Sequence, residues 1–182
     1  EALNYDKSCI RAHIDLALFE VGQQQYERAI NWLGKAFEKD SDFVAELIPI
    51  SRRCIPGLGE KRINDLWMKW YISSSAEILL IALSESLRQK GEYESAILFL
   101  REQLARTPRL RGMIQLLRYE AEVSPENAGS YNLAAEVGDL VLAKKNAYQC
   151  ECCGFSGGQL HWLCPSCNKW GRVKPSEFKL LD

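Results

Sequence analysis

The chain has 182 residues, 47% of them hydrophobic, and its 23 Lys and Arg against 24 Asp and Glu leave a formal charge of −1. That length holds one domain plus a small module, and the charge balance excludes the global basic field that draws nucleic acid. Five of the seven cysteines fall between Cys150 and Cys167, which argues against a disulfide scaffold and for a metal site in a reducing cytoplasm. No apolar run approaches the roughly 20 residues of a membrane helix, and no signal peptide is present. The chain opens at Glu1, and Ala2-Leu3 with Asp6 read as the end of a helical repeat. A fragment is therefore expected, with any anchoring segment lying before it.

In chain order, Ile14, Leu16, Ala17, Leu18 and Val21 predict an amphipathic helix from Ile10 to Glu20, broken at Gly22. Tyr26, Ala29, Ile30, Leu33, Ala36 and Phe37 recur at three- and four-residue steps and predict a second helix, with Asp40-Ser41-Asp42 offering caps for the next unit. The same signature returns as Gly91-Glu92-Tyr93, Ala96, Leu100 and Pro108, 67 residues on for Tyr26, Ala29 and Leu33. That offset is one short of two 34-residue periods, and Ala2 lies 34 residues before Ala36, at the end of an earlier, truncated unit. Small residues at these places let paired helices approach closely, and the tyrosine fills the space beside them. The pattern resembles tetratricopeptide repeats, stacked helix pairs that bind peptides or proteins.

The middle unit, Phe43 to Tyr71, is degenerate. Pro49 is expected to interrupt its first helix, and Pro56-Gly57-Leu58-Gly59 to make the turn. Ile63, Leu66, Trp67, Trp70 and Tyr71 predict a helix over 61–72 whose aromatic stripe is core packing rather than a ligand box. Ser73-Ser74-Ser75 reads as a cap into a helix from Ala76 to Gln89. After Pro108 comes a helix with Leu110, Met113, Ile114, Leu117 and Ala121 on one side. Ser124-Pro125-Glu126 then reads as a cap with a first-turn proline. The last helix carries Leu133, Val137, Leu140 and Val141, spaced i, i+4, i+7 and i+8, and ends near Lys144. So few residues separate it from Cys150 that the tail is expected to dock on the final helices and act as a clasp.

The tail carries the chemistry. Cys150 and Cys153 form one Cys-x-x-Cys knuckle and Cys164 and Cys167 a second, with ten residues between them. Four thiolates at that spacing suit a single tetrahedral ion, zinc or iron. Gly154 and Asn168 follow the two knuckles, where positive φ lets backbone N–H groups point at sulfur. Tyr148, Phe155, Trp162 and Trp170 are expected to cover the module. Cys152 reads as a bystander, His161 as a packing or surface residue, and Cys9 and Cys54 as small buried hydrophobes. Four sulfurs leave no open coordination position, so hydrolysis by metal-bound water is not offered.

With the repeats and the knuckles in hand, the chain resembles the lipopolysaccharide assembly protein B family, in which cytoplasmic tetratricopeptide repeats are joined to a rubredoxin-type module. The resemblance rests on the segments Tyr148 to Phe155 and Trp162 to Trp170, on Lys174-Pro175, and more loosely on the repeat ending at Pro108. It implies a mostly α fold: a tetratricopeptide-type helical-hairpin solenoid over residues 1–146, then a small rubredoxin-type or zinc-ribbon metal module over 147–182. The four cysteines carry over position by position, as ligands of one tetrathiolate-bound metal ion, iron or zinc. The extra Cys152 departs from the family pattern. The resemblance also implies a non-enzymatic regulator on the cytoplasmic side of the bacterial inner membrane. Its partners would be a membrane-anchored AAA protease, the deacetylase that commits lipid A synthesis, and other lipopolysaccharide assembly proteins.

Other readings compete with the scaffold. An iron redox protein needs reversible iron chemistry, and a sugar-transferase accessory needs a catalytic domain that is not in this sequence. No Gly-rich phosphate loop or nucleophile elbow is present, and His13 and His161 are the only histidines. A nucleic-acid-binding ribbon would draw on Lys169, Arg172, Lys174 and Lys179, against the negative charge of four thiolates, and no nucleic-acid partner is expected. Arg101, Arg106, Arg109, Arg111 and Arg118 crowd one helix pair; they read as a solvated face or as a docking surface for an acidic partner or lipopolysaccharide phosphates. Self-association as a homodimer is left open.

Overall fold

A computed structural model describes residues 2–144 and 146–176. The fold is mostly α, built of tetratricopeptide-type helical hairpins, with a small C-terminal strand region. Two compact units, 1–79 and 80–182, divide within the helix Glu77–Gln89.

In the first unit, α1 (Ala2–Tyr5) precedes α2 (Ile10–Gly22) and α3 (Tyr26–Lys39), which pack as an antiparallel pair. Ala17, Ala29, Leu33 and Ala36 are fully buried between neighbours, because three alanines let the backbones approach. The break between these helices is not made by Gly22, which is the last residue of α2. Gln24 turns the chain with φ 57, and Gln25 N–H returns to Glu20 O at 2.9 Å. The helix ends when its last carbonyls are met by a left-handed residue, here one without the glycine signal.

Asp40 accepts from the Asp42 N–H at 3.0 Å and caps a short 3₁₀ turn, as expected. The helix after it, α4 (Val44–Arg52), contains Pro49 and is not interrupted by it. Proline's fixed φ is helical; what is lost is one bond to the carbonyl of Ala45, and burial of Leu47, Ile48 and Ile50 outweighs that. The expected Pro56–Gly59 turn contains a further helical turn, α5 (Ile55–Leu58), ended by Gly59 at φ 80. Gly57 has a packing reason: a Cβ there would lie 2.0 Å from the Tyr26 ring.

The helix α6 (Glu60–Ser74) buries Ile63, Trp67 and Trp70, so the aromatic stripe is core. Phe37 stacks on Trp70 with ring centroids 5.0 Å apart. The serine run belongs to the end of α6 rather than to the next helix. Ser73 and Ser74 hydroxyls donate to Trp70 O, and Ser75 is left-handed at φ 53; only the Ser74 hydroxyl also accepts from Ala76 N–H.

Next come α7 (Glu77–Gln89) and α8 (Tyr93–Arg106), which reproduce α2 and α3 residue for residue at an offset of 67. Ala96 and Leu100 are as fully buried as Ala29 and Leu33. Even the turn repeats: Glu92 N–H reaches Leu87 O as Gln25 reaches Glu20, and Gly91 at φ 81 stands where Gln24 does. After Pro108, α9 (Leu110–Val123) packs on α8 and on α10 (Ala128–Ala143).

One expectation fails in this unit. Ser124 closes α9 and Asn127 precedes α10, so Pro125 lies in the turn rather than in the first turn of a helix. On α10 the buried residues are Ala135 and Gly138, while Leu133, Val137, Leu140 and Val141 are exposed. A Cβ on Gly138 would sit 2.6 Å from the Ile114 side chain. Small residues win this contact because they allow close helix approach, so the aliphatic stripe faces away from α9.

Candidate metal centre

Three short strands hold the tail together. β1 (Tyr148–Cys150) pairs antiparallel with β2 (Ser156–Gly157) on one side and β3 (Val173–Pro175) on the other. The connector after α10 is part of this fold from Asn146 onward. Asn146 donates to the Ser156 hydroxyl, Ser176 N–H donates to Ala147 O, and the Ser176 hydroxyl donates to Asn146 O.

The two knuckles are built alike. Cys150 N–H donates to Phe155 O at 2.7 Å and Gly154 N–H to Cys150 O; Cys164 N–H donates to Lys169 O at 3.0 Å and Asn168 N–H to Cys164 O. Each loop closes on a left-handed residue, Gly154 at φ 75 and Asn168 at φ 54, as the sequence predicts.

These loops bring Cys150, Cys153, Cys164 and Cys167 together, with all four sulfurs within 4.8 Å of one another. The Cys150–Cys167 and Cys153–Cys164 separations are 3.8 and 3.7 Å. A tetrahedron with metal–sulfur bonds of about 2.3 Å has edges of about 3.8 Å, so the spacing fits one ion. Zinc and a single iron share that geometry, and the cage does not choose between them. Cys150 and Cys164 are buried and Cys153 is exposed, so the site is closed on its inner side and reachable on the other.

Hydrogen bonds tune the sulfurs. The backbone N–H of Phe155 and the Ser166 hydroxyl stabilise the Cys153 thiolate and bring its pKa down to about 6. The Lys169 N–H pulls Cys167 down in the same way. There, desolvation and the hydrogen bonds that the Cys167 thiol donates to Cys153, Cys164 and Cys150 outweigh it and push the thiol up to about 12. Four thiols this close cannot all ionise without a cation. Cys152 stays outside the four: its N–H donates to Cys150 Sγ at 3.4 Å, while its exposed sulfur accepts from Lys169 Nζ at 2.9 Å. His161 is not among the grouped donors; it meets the Phe155 ring edge-on at 5.8 Å.

The module's core is Cys150, Cys164 and Val173, with Tyr148, Phe155 and Leu160 against it. Val173 was not singled out from the sequence; its signal is an apolar residue alternating with Arg172 and Lys174 on a strand. Trp170, expected as cover, is 59% exposed, in a backbone bridge with Leu163, which is exposed as well. The tail's basic residues are largely answered within the module. Arg172 and Lys174 both meet Glu151, and Lys169 meets Cys152. Lys179 lies outside the described residues.

The arginine cluster is similarly partnered. Arg101 pairs with Glu120 at 2.5 Å and Arg118 with Asp139, and Arg109 also has a partner. Arg106 and Arg111 are exposed, as are the paired Arg101 and Arg118, while Arg109 is half-buried. Cys54 is buried, which raises its thiol pKa, and Cys9 is half-buried; neither joins a donor group among the described residues.

Residues 148–175 match the family described as Rubredoxin metal binding domain. Over 93% of its length the chain is 26% identical to Lipopolysaccharide assembly protein B of Escherichia coli (strain K12), and over 96% it is 26% identical to the Haemophilus influenzae protein of the same name. These are the proteins to which the sequence resemblance points. The chain spans 44% and 45% of their lengths. Among solved structures, it is similar to MamA (TM-score 0.48, 18% identity, 79% of this chain and 85% of that one). A second is YrrB, described as a TPR protein with an unusual peptide-binding site (TM-score 0.46, 19% identity, 79% and 75%).

Proposed function

We propose that this chain is a non-catalytic scaffold in lipopolysaccharide assembly, with helical repeats that bind partner proteins and a C-terminal module built on one metal ion. The observation that carries the reading is the joining of two features in one chain. One is a four-sulfur cage with tetrahedral spacing, in a segment that matches a rubredoxin metal binding domain. The other is a likeness, along nearly the whole chain, to proteins named for lipopolysaccharide assembly.

On this reading Cys150, Cys153, Cys164 and Cys167 are the ligands, and residues 147–182 form a metal-dependent module distinct from the repeats in 1–146. Four sulfurs saturate the ion, so its contribution is structural unless the ion is iron. In its finer form, the scaffold presents the deacetylase that commits lipid A synthesis to a membrane-anchored AAA protease at the cytoplasmic face of the inner membrane. Other assembly proteins and lipopolysaccharide are further candidates for the same surface, with Arg106 and Arg111 available to phosphates.

Two measurements test this. In cells that make the full-length protein, replacing both knuckles with serines should raise the level of the deacetylase; an unchanged level rejects the regulatory form. Elemental analysis of protein purified without added metal should give one ion per chain. Iron with a reversible redox change in visible absorbance would favour electron transfer instead.

A further inference from the structure

Leu133, Val137, Leu140 and Val141 on α10 are 63, 53, 65 and 43% exposed with the metal module in place. The opposite face of the helix is committed to α9 through Ala135 and Gly138, so the stripe is left uncovered by the described residues. We propose that this face docks on a second copy of the chain, α10 against α10 in antiparallel orientation about a twofold axis at Val137.

Three features argue for that occupant. The first is self-complementarity. A twofold interface must be its own partner, so that residue i meets j and j meets i. Counting outward from Val137, four residues away lie Leu133 and Val141, and three away lie Ala134 and Leu140. An antiparallel pairing centred there therefore sets Val137 on Val137, Leu133 on Val141 and Ala134 on Leu140, apolar with apolar, with the exposed Glu136 at the flank. The second is spacing. Leu133, Val137 and Leu140 follow the four-then-three rhythm of a helix–helix seam over about 12 Å of helix.

The third is charge. Lys144, the C-cap of α10, is exposed three residues past Val141, and Glu126 is exposed in the turn before α10, seven residues ahead of Leu133. In this register Lys144 faces Ser130 of the other copy, with Glu126 about one helical turn beyond and within reach of the long lysine side chain, whereas parallel pairing would set Lys144 beside Lys144 and Glu126 beside Glu126. The stripe is short compared with the roughly 800 Å² that each partner buries in a standard interface. The dimer is accordingly concentration-dependent.

Sedimentation of the metal-loaded chain over about a hundredfold range of concentration should show the mean mass rising toward that of a dimer. Val137→Asp, at an exposed position, should hold the chain monomeric with an unchanged circular dichroism spectrum. Lys144→Glu should weaken association, and Lys144→Glu with Glu126→Lys should restore it. In a Cys152→Ser background, Val137→Cys should form a disulfide-linked dimer on mild oxidation, while Leu98→Cys on exposed α8 should not. A monomer at every concentration would show that the face serves another partner or none, and would overturn the proposal. So would a dimer that survives Val137→Asp, or a Val137→Cys chain that fails to cross-link.

Discussion

Trp67 donates its indole N–H to the Ser51 hydroxyl at 2.8 Å, sixteen residues away in sequence and wholly inside the first unit. The Ser51 hydroxyl donates in turn to Ile48 O at 2.8 Å. The pair satisfies the one polar atom of a buried tryptophan and ties α4 to α6. Ser51→Ala leaves that N–H unpaired and should cost about 1–3 kcal/mol in urea unfolding. In a Trp67→Phe background the same change should cost clearly less. Equal costs in the two backgrounds would mean that the bond contributes nothing.

Gly57 and Tyr26 make a second such pair. With a Cβ 2.0 Å from the ring, Gly57→Ala must displace Tyr26 or bend α5. The expected loss is about 1–3 kcal/mol of stability, largely relieved when Tyr26 is also replaced by alanine. Thermal unfolding of the four proteins checks it.

The two equivalent turns predict opposite effects from complementary changes. Gln24 is held at φ 57, where a side chain is strained, so Gln24→Gly should stabilise the first unit by up to about 1 kcal/mol. Gly91→Ala, at φ 81, should destabilise by about 1–2 kcal/mol. A loss of stability on Gln24→Gly would show that contacts of the glutamine outweigh the strain.

Metal removal should unfold the tail, since two of the three residues at its core are among the four proposed ligands. Amide protection over 148–150 and 173–175 should disappear on chelation or in Cys164→Ser. If the tail acts as a clasp, the melting temperature of the helices should fall as well. An unchanged helical melt would reject the clasp and leave the module as an independent unit.

Acid should release the ion, because protons compete for the sulfurs. In the metal-free fold, Cys153 at about 6 lies below the ordinary thiol value of about 8.5. Its stabilisation is therefore present above about pH 8.5 and lost as pH falls through about 6. Cys167, pushed up to about 12, behaves oppositely: its contribution is present below about 8.5 and lost as pH rises toward 12. A zinc indicator should thus report release on the acid side of neutrality. Metal retention that is flat between pH 8 and about 5 would contradict protonation of thiolates as the release step.

Much of this was legible in the residues. The 67-residue offset named the equivalent helices because alanines and a leucine at fixed places reflect backbone approach, which is local to each pair. The knuckles were legible because ligand type and spacing are set by the ion's geometry, and Gly154 and Asn168 announce their own φ. Less legible were the features decided by a neighbour. Gln24 gives no turn signal; it takes the left-handed conformation because two packed helices demand a turn there. Pro49 reads as a breaker and is overruled by burial on either side of it.

By itself, then, the sequence determined the helical hairpins, the four-cysteine cage and the two left-handed closures of its knuckles. Each depends on short-range stereochemistry or on residue type at fixed spacing. Only the tertiary structure decided that Trp170 points outward, that the arginine cluster is largely paired, and that α10 packs by its small face. Hydrophobicity marks which side chains gain from burial, but close packing decides which face is used. On α10 the approach allowed by Gly138 and Ala135 outweighed the area of Leu133 and Val137, and so left an aliphatic stripe for another surface to cover.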